Sequence, residues 1–253
     1  MKYVRFKTKD NHISYGVLEG TAIKKIDGDL FGDYTLTAST FALDDVQLLA
    51  PCQPSKVVCA GTNYMSHIEE TNSPTPKVPL MFLKHDLSVI GPDAAIESPT
   101  DCNRVDYEGE LGVVIKKTCK GVAKENIMEY ILGYTCVNDV SARDYQMGDG
   151  QWARGKSQDT FCPLGPIITD EIDAANSQVI TRLNGEVKQN GNTNDLLFDI
   201  PTFISFVCAG ITLKAGDVVA TGTPSGVGPM KAGDVVEIEI PGVGILKNVV
   251  VDR

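Results

Sequence analysis

Short runs that alternate apolar and polar residues, or are wholly apolar, dominate the chain, and helical periodicity is confined to a few stretches. Tyr3-Val4-Arg5-Phe6-Lys7 alternates, 13–17 follows a turn at Asp10-Asn11, and 22–26 precedes Asp27-Gly28. Residues 1–50 therefore read as a small β domain. The body, 51–253, begins with an apolar strand at 56–61 that runs through Gly61-Thr62-Asn63-Tyr64 into a helical segment at 65–70. Further strands are expected at 80–83, 105–115 and 131–138, with a helical stretch at 123–130 between the last two. From 179 onward the pattern is β: a hairpin at 180–189 turns on Asn184-Gly185, and one amphipathic helix fills 198–210, begun at Asp199 or Thr202. Lys-Ala-Gly-Asp-Val-Val occurs at 214–219 and again at 231–236, each copy a turn feeding a strand, which reflects turn chemistry more than a repeat architecture. The fold class is mainly β (α+β).

The chain has 253 residues, enough for one large domain with a small appendage. A net charge of −10 opposes binding to a nucleic-acid backbone or an anionic membrane. A small anionic substrate then requires a local cationic patch or a metal. Seven cysteines are scattered without a C-x-x-C pair, which suggests neither a zinc ribbon nor a disulfide framework. Several lie in apolar runs, where a free cysteine packs as a small hydrophobe, so a reduced, cytoplasmic setting is expected. No N-terminal apolar run of signal-peptide length and no run of transmembrane length occurs.

Candidate chemistry centres on Val105-Asp106-Tyr107-Glu108-Gly109-Glu110-Leu111. Read as one strand, it projects Glu108 and Glu110 from the same face. Such a pair is either a solvated strand edge or, running as here into the apolar Leu-Gly-Val-Val-Ile, half of a metal site, since adjacent carboxylates repel without a cation between them. Asp139, at the polar end of the apolar strand 131–138, provides a third carboxylate. Three oxygen donors with no thiolate or imidazole suit Mg²⁺ or Mn²⁺ better than zinc. His67 and Glu70, three apart on a helix, are either a surface pair or a base oriented by a carboxylate. The proline-punctuated 72–79 that follows has the character of a mobile lid. Lys84 either reaches solvent along its stem or enters a site. Arg154 and Lys156, in a glycine-containing loop beside the only tryptophan, are either a solvated basic loop or a cradle for an anion. Thr221-Gly222-Thr223-Pro224-Ser225-Gly226-Val227-Gly228 lacks the lysine of a nucleotide phosphate loop, but its N–H groups and the Thr223 hydroxyl can meet a carboxylate.

In this order the segments resemble the fumarylacetoacetate hydrolase superfamily over 52–252. The resemblance rests on Gly61-Thr62-Asn63-Tyr64 with His67 and Glu70, Tyr107-Glu108-Gly109-Glu110-Leu111, and Gly133-Tyr134 through Asn138-Asp139-Val140-Ser141-Ala142-Arg143-Asp144. It continues with Gly155-Lys156-Ser157 and Asp159-Thr160, and ends with 221–228. Residues 1–50 resemble the small N-terminal domain of bacterial members related to homoprotocatechuate-pathway isomerases. The resemblance implies a mixed β-sandwich roll, a homodimer, and a part in aromatic compound catabolism. It implies Glu108, Glu110 and Asp139 as ligands of Mg²⁺ or Mn²⁺, and His67 and Glu70 as a catalytic dyad on a lid. It places Lys156 and Thr223 near the bound acid; Lys156 is expected to act in catalysis by balancing the oxyanion charge, and Lys84, Arg143 and Arg154 are expected, from their charge, as further substrate contacts. The expected reaction is C–C hydrolysis of an acylpyruvate-type 2-keto acid through a metal-stabilised enolate, with His67 activating water. Isomerisation of a 2-hydroxyhepta-2,4-diene-1,7-dioate or decarboxylation of oxaloacetate uses the same stabilisation. A metal-dependent carboxylic-acid binder and a structural calcium site are the non-enzymatic readings; the intact His67–Glu70 pair speaks against the binder. Two departures, His85-Asp86 after Lys84 and Gln158 before Asp159-Thr160, fall where substrate shape is read.

Overall fold

The strands with the longest apolar runs lie at the centre of a twelve-stranded sheet. The structure, a computed structural model, describes residues 1–253. Along its main path the order is Tyr34–Ala42, Ala22–Gly28, Ile13–Glu19, Lys2–Lys7, Cys162–Thr169, Ile131–Asn138, Gly109–Ile115, Val218–Ala220, Val57–Gly61 and Leu80–Lys84. The N-terminal meander thus continues the same sheet, joined to it at Lys2↔Thr169 and Tyr3↔Ile168. All seven residues of Gly109–Ile115 are buried, because both faces of this part of the sheet are covered. On one side Leu111, Val113 and Cys136 share a core with Val236, Ile238 and Leu246 of a five-stranded sheet. On the other, Val114, Val137 and Leu164 pack with Val57, Cys52 and Leu30. The chain is mainly β, with two sheets face to face and few helices. None of its helices is long and apolar enough to cross a membrane.

The segment 105–115 is not one strand. Val105–Tyr107 belongs to a separate three-stranded sheet with Ser141–Ala142 and Gly228–Met230, whereas Gly109–Ile115 belongs to the large sheet. The chain changes sheets at Glu108, where the side chain of Asn138 and the backbone of Asp139 replace the ladder. Asn138 Oδ1 accepts the Glu108 N–H at 3.0 Å, and the Asp139 N–H donates to Glu108 O at 2.8 Å.

The opposing sheet also explains the glycine between the two glutamates. A Cβ on Gly109 would lie 2.1 Å from Thr181 Oγ1 and 3.1 Å from Ile238 Cδ1. Gly109→Ala is therefore expected to destabilise the protein by about 1–3 kcal/mol through overpacking. Thermal unfolding checks this, and an unchanged melting temperature would show that the sheets can part at no cost.

Local signals elsewhere behave as their chemistry demands. Asn184 (φ 54°) and Gly185 (φ 81°) make the left-handed two-residue turn joining Gln178–Leu183 to Glu186–Asn192. Asp199 caps the helix Ile200–Gly210, its Oδ1 accepting the Thr202 N–H at 2.8 Å. The stretch read as helical at 123–130 is a 3₁₀ helix, Lys124–Tyr130.

Candidate active site

Glu108 at the sheet change, Glu110 one residue into the large sheet, and Asp139 just past the end of Ile131–Asn138 converge. One carboxylate oxygen from each lies within 4.8 Å of the others, and all three residues are buried. Burying this much like charge is tolerable only with cations interleaved. Lys156 Nζ sits 2.8 Å from Glu108 Oε2 and 2.6 Å from Asp139 Oδ2. Lys84 Nζ is 2.6 Å from Asp139 Oδ1 and donates to Val140 O at 3.0 Å and to Lys156 O. Arg143 Nη2 is 2.7 Å from Glu108 Oε1, its Nε donates to Asp106 Oδ2 at 2.8 Å, and its Nη1 donates to Gln146 Oε1 at 2.8 Å. Arg104 closes the string with a two-pronged contact on Asp106, both prongs at 2.9 Å.

Glu110 alone among these acids has no ion-pair partner; its Oε2 accepts the Gly222 N–H at 2.8 Å. Burial first, then the neighbouring Asp139 and Glu108, push its carboxyl well above the usual range. Burial acts the same way on Glu108, but Lys156 and Arg143 outweigh it and hold that carboxyl well below its usual value. For Lys156 burial favours the neutral amine, yet Asp139 and Glu108 prevail and raise its pKa, so the ammonium stays charged.

These residues fit a divalent cation. The donors are hard oxygens, Glu110 lacks a counter-charge, and Asp139 Oδ1 accepts no well-directed hydrogen bond although Lys84 Nζ is close. If the trio holds an ion, Glu110→Gln should remove it while preserving an acceptor for the Gly222 N–H. The metal-free variant is expected to melt at or above the wild-type temperature. It should also lose the stabilisation that Mg²⁺ or Mn²⁺ gives the wild type, about 2.7 kcal/mol at one hundred times Kd. A variant that still gains stability from the ion would exclude Glu110 as a ligand.

Glu108 and Glu110, with Asp139 behind them, face a cavity of about 450 Å³ whose lining also includes His67, Arg104, Arg143 and Trp152. His67 and Glu70 lie on the helix Met65–Thr71, with His67 Nδ1 3.3 Å from Glu70 Oε2. Glu70 Oε1 also accepts the Gly226 N–H at 2.9 Å, which ties this helix to the 221–228 loop. Trp152 packs edge-on to Phe82 at 5.4 Å and covers Gly61, where a Cβ would meet its ring at 2.8 Å. Thr223 lines the cavity too, but its hydroxyl donates to Gly109 O at 2.9 Å and accepts from Gln189 at 2.7 Å.

Two expected substrate contacts stand elsewhere. Lys84 is fully buried behind Asp139 and does not line the cavity, because the only charge within its reach is that carboxylate. Arg154 points outward: it grips Asp149 at 2.6 and 2.7 Å and its guanidinium lies 3.9 Å over the Tyr145 ring, off the cavity. Of the two cations in that loop only Lys156 reaches the carboxylates. Conversely, Asp106 and Arg104 escape the sequence reading. The available signal is parity, since Asp106, Glu108 and Glu110 are spaced by two.

A mainly β chain with three converging acids on two adjoining strands and a histidine across the cavity is the pattern of the fumarylacetoacetate hydrolase family, and the chain belongs to it. Residues 56–251 match the fumarylacetoacetate (FAA) hydrolase C-terminal family, and residues 1–51 match the Rv2993c-like N-terminal family. The chain is similar to the crystal structure of 5-carboxymethyl-2-hydroxymuconate delta-isomerase from Mycobacterium smegmatis, with 42% identity and a TM-score of 0.94 over 100% of both chains. It is 41% identical to human mitochondrial oxaloacetate tautomerase FAHD2A, over 87% of this chain and 77% of that protein. It also resembles the maleylpyruvate hydrolase of Sphingobium sp. SYK-6, at 30% identity and a TM-score of 0.84 over 100% of both chains. Proteins of this family are hydrolases, isomerases, decarboxylases or tautomerases, typically dependent on a divalent metal.

Proposed function

We propose that this protein is a Mg²⁺- or Mn²⁺-dependent enzyme that moves a proton on a small 2-keto acid, interconverting its enol and keto forms. The observation that carries this reading is that His67, the carboxylate pair Glu108 and Glu110, and the cations Arg143 and Lys156 line one cavity. Glu108, Glu110 and Asp139 would hold the ion. When bound there, a divalent cation supplies Lewis-acid polarisation of the acid's keto and carboxylate oxygens.

The chain's own groups do the rest. Glu70 facing Nδ1 favours the His67 tautomer with its proton on that nitrogen, leaving Nε2 free to take a proton from substrate carbon and return it to oxygen, or the reverse. Lys156 remains an ammonium, so it stabilises negative charge developing on the substrate instead of acting as a base. Trp152 and Phe82 wall the site with apolar surface, which excludes water and strengthens these interactions. The isomerase and tautomerase names of relatives at 41–42% identity support the same reaction type.

C–C hydrolysis of an acylpyruvate is the second reading. It uses His67 to take the proton from an attacking water, and the hydrolase among the similar structures favours it. Incubation with Mg²⁺ and either oxaloacetate or acetylpyruvate separates the two. Accelerated loss of oxaloacetate enol absorbance without loss of carbon chain supports tautomerisation, and release of pyruvate from acetylpyruvate supports hydrolysis. No acceleration with any 2-keto acid, in either metal, would end both.

A further inference from the structure

Three cations line the cavity, and two of them are already paired with the site's own carboxylates. Arg143 uses Nε, Nη1 and Nη2 on Asp106, Gln146 and Glu108. Lys156 is wedged between Glu108 and Asp139 and is 2% exposed. Arg104 differs. Its Nε and Nη2 bond to Asp106, while Nη1 has no partner, and the side chain is 53% exposed at the cavity wall. Asp106 is fully buried and shares its carboxylate with Arg143, so the guanidinium of Arg104 is braced from behind with an edge left over. A braced guanidinium with free N–H groups is a ready partner for a carboxylate.

The charge balance points the same way. Arg104, Arg143, Lys156 and Lys84 offset Asp106, Glu108, Glu110 and Asp139 one for one when all are ionised. A divalent cation at the trio then adds two positive charges, one of them offset by Glu70 beside His67, which leaves the cavity net positive and suited to an anion.

We propose that Arg104 binds the distal carboxylate of the substrate and so selects 2-keto dicarboxylic acids over monocarboxylic ones. This deepens, and rests on, the reading of a 2-keto acid at the carboxylate trio. Arg104 is a specificity residue and does not touch the reacting atoms.

The matched pair 2-oxoglutarate and 2-oxopentanoate differs in the distal carboxylate, and calorimetric titration of the protein in millimolar Mg²⁺ compares them without turnover. The wild type is expected to bind 2-oxoglutarate at least about tenfold more tightly, the scale of one charge-assisted hydrogen bond. Arg104→Gln should abolish the preference, and Arg104→Lys should retain part of it. In kinetics the ratio of kcat/KM for oxaloacetate to that for acetylpyruvate should fall by a similar factor in Arg104→Gln. Equal weakening of both ligands in Arg104→Gln would show that Arg104 only braces Asp106, and overturns the assignment. So does a wild type without preference, even if it turns over keto acids. A preference lost in Arg104→Gln without turnover of any keto acid would sustain Arg104 and remove the proposed reaction. Binding of neither acid removes both.

Discussion

His67→Ala is expected to lower turnover of a 2-keto acid by roughly 10²–10⁴-fold, the usual contribution of a positioned general base. The same variant should keep its affinity for Mg²⁺, because the imidazole faces Glu70 and is not among the three converging carboxylates. The fold should tolerate it as well. Met65–Thr71 is anchored by the buried Ile68 and by backbone bonds, with His67 contributing only its 3.3 Å contact to Glu70. Comparing steady-state rates with the thermal shift produced by Mg²⁺ separates the two roles. Loss of both together would move His67 from acid–base chemistry to ion binding.

That separation depends on how the site is encoded. The meeting of Glu108, Glu110 and Asp139 is legible because each acid stands at the end of an apolar run, and such a run has to pack with its neighbours. The Asn-Gly hairpin and the Asp199 cap are legible because their chemistry is local. The change of sheets at Glu108 is not. It depends on Asn138, thirty residues away, whose side chain takes over a ladder hydrogen bond. Nor can periodicity place the cations. Lys84 and Asp139 meet only because Leu80–Lys84 edges the sheet beside Val57–Gly61, and Arg154 and Lys156, two apart, diverge because the turn between them is a short helix, Ala153–Lys156. Asp106 carries only the local mark of its spacing from Glu108, and its pairing with Arg143, which lies far along the chain and braces Arg104 from behind, leaves none.

The largest effect on stability is expected from Lys156→Met. Methionine keeps much of the apolar stem but removes the ammonium that separates Glu108 from Asp139. Breaking a buried pair from one side leaves uncompensated charge and costs about 3–5 kcal/mol. For a chain of this size that corresponds to a fall of roughly 6–20 °C in Tm. The loss should depend on metal, since an ion at the trio supplies positive charge where the ammonium was. Saturating Mg²⁺ is therefore expected to close at least half of the gap to wild type, a larger metal-linked gain than the wild type itself shows. Melting curves with Mg²⁺ and with a chelator test this. An equal gap in both would mean that Lys156 supports the fold independently of the carboxylate trio. Catalysis should fail in either condition, because the charge meant for the substrate is gone.

The turn at 221–228 is fastened at two places around the cavity. Its Gly222 N–H donates to Glu110 on the floor, and its Gly226 N–H donates to Glu70 on the helix Met65–Thr71, which carries His67 at the cavity wall. An outward swing of that helix would unhook one end of a tether whose other end grips Glu110. Admission of a guest and the firmness of the floor are thus mechanically linked through the five residues of backbone from Gly222 to Gly226, and stiffening that tether should slow exchange of whatever occupies the chamber.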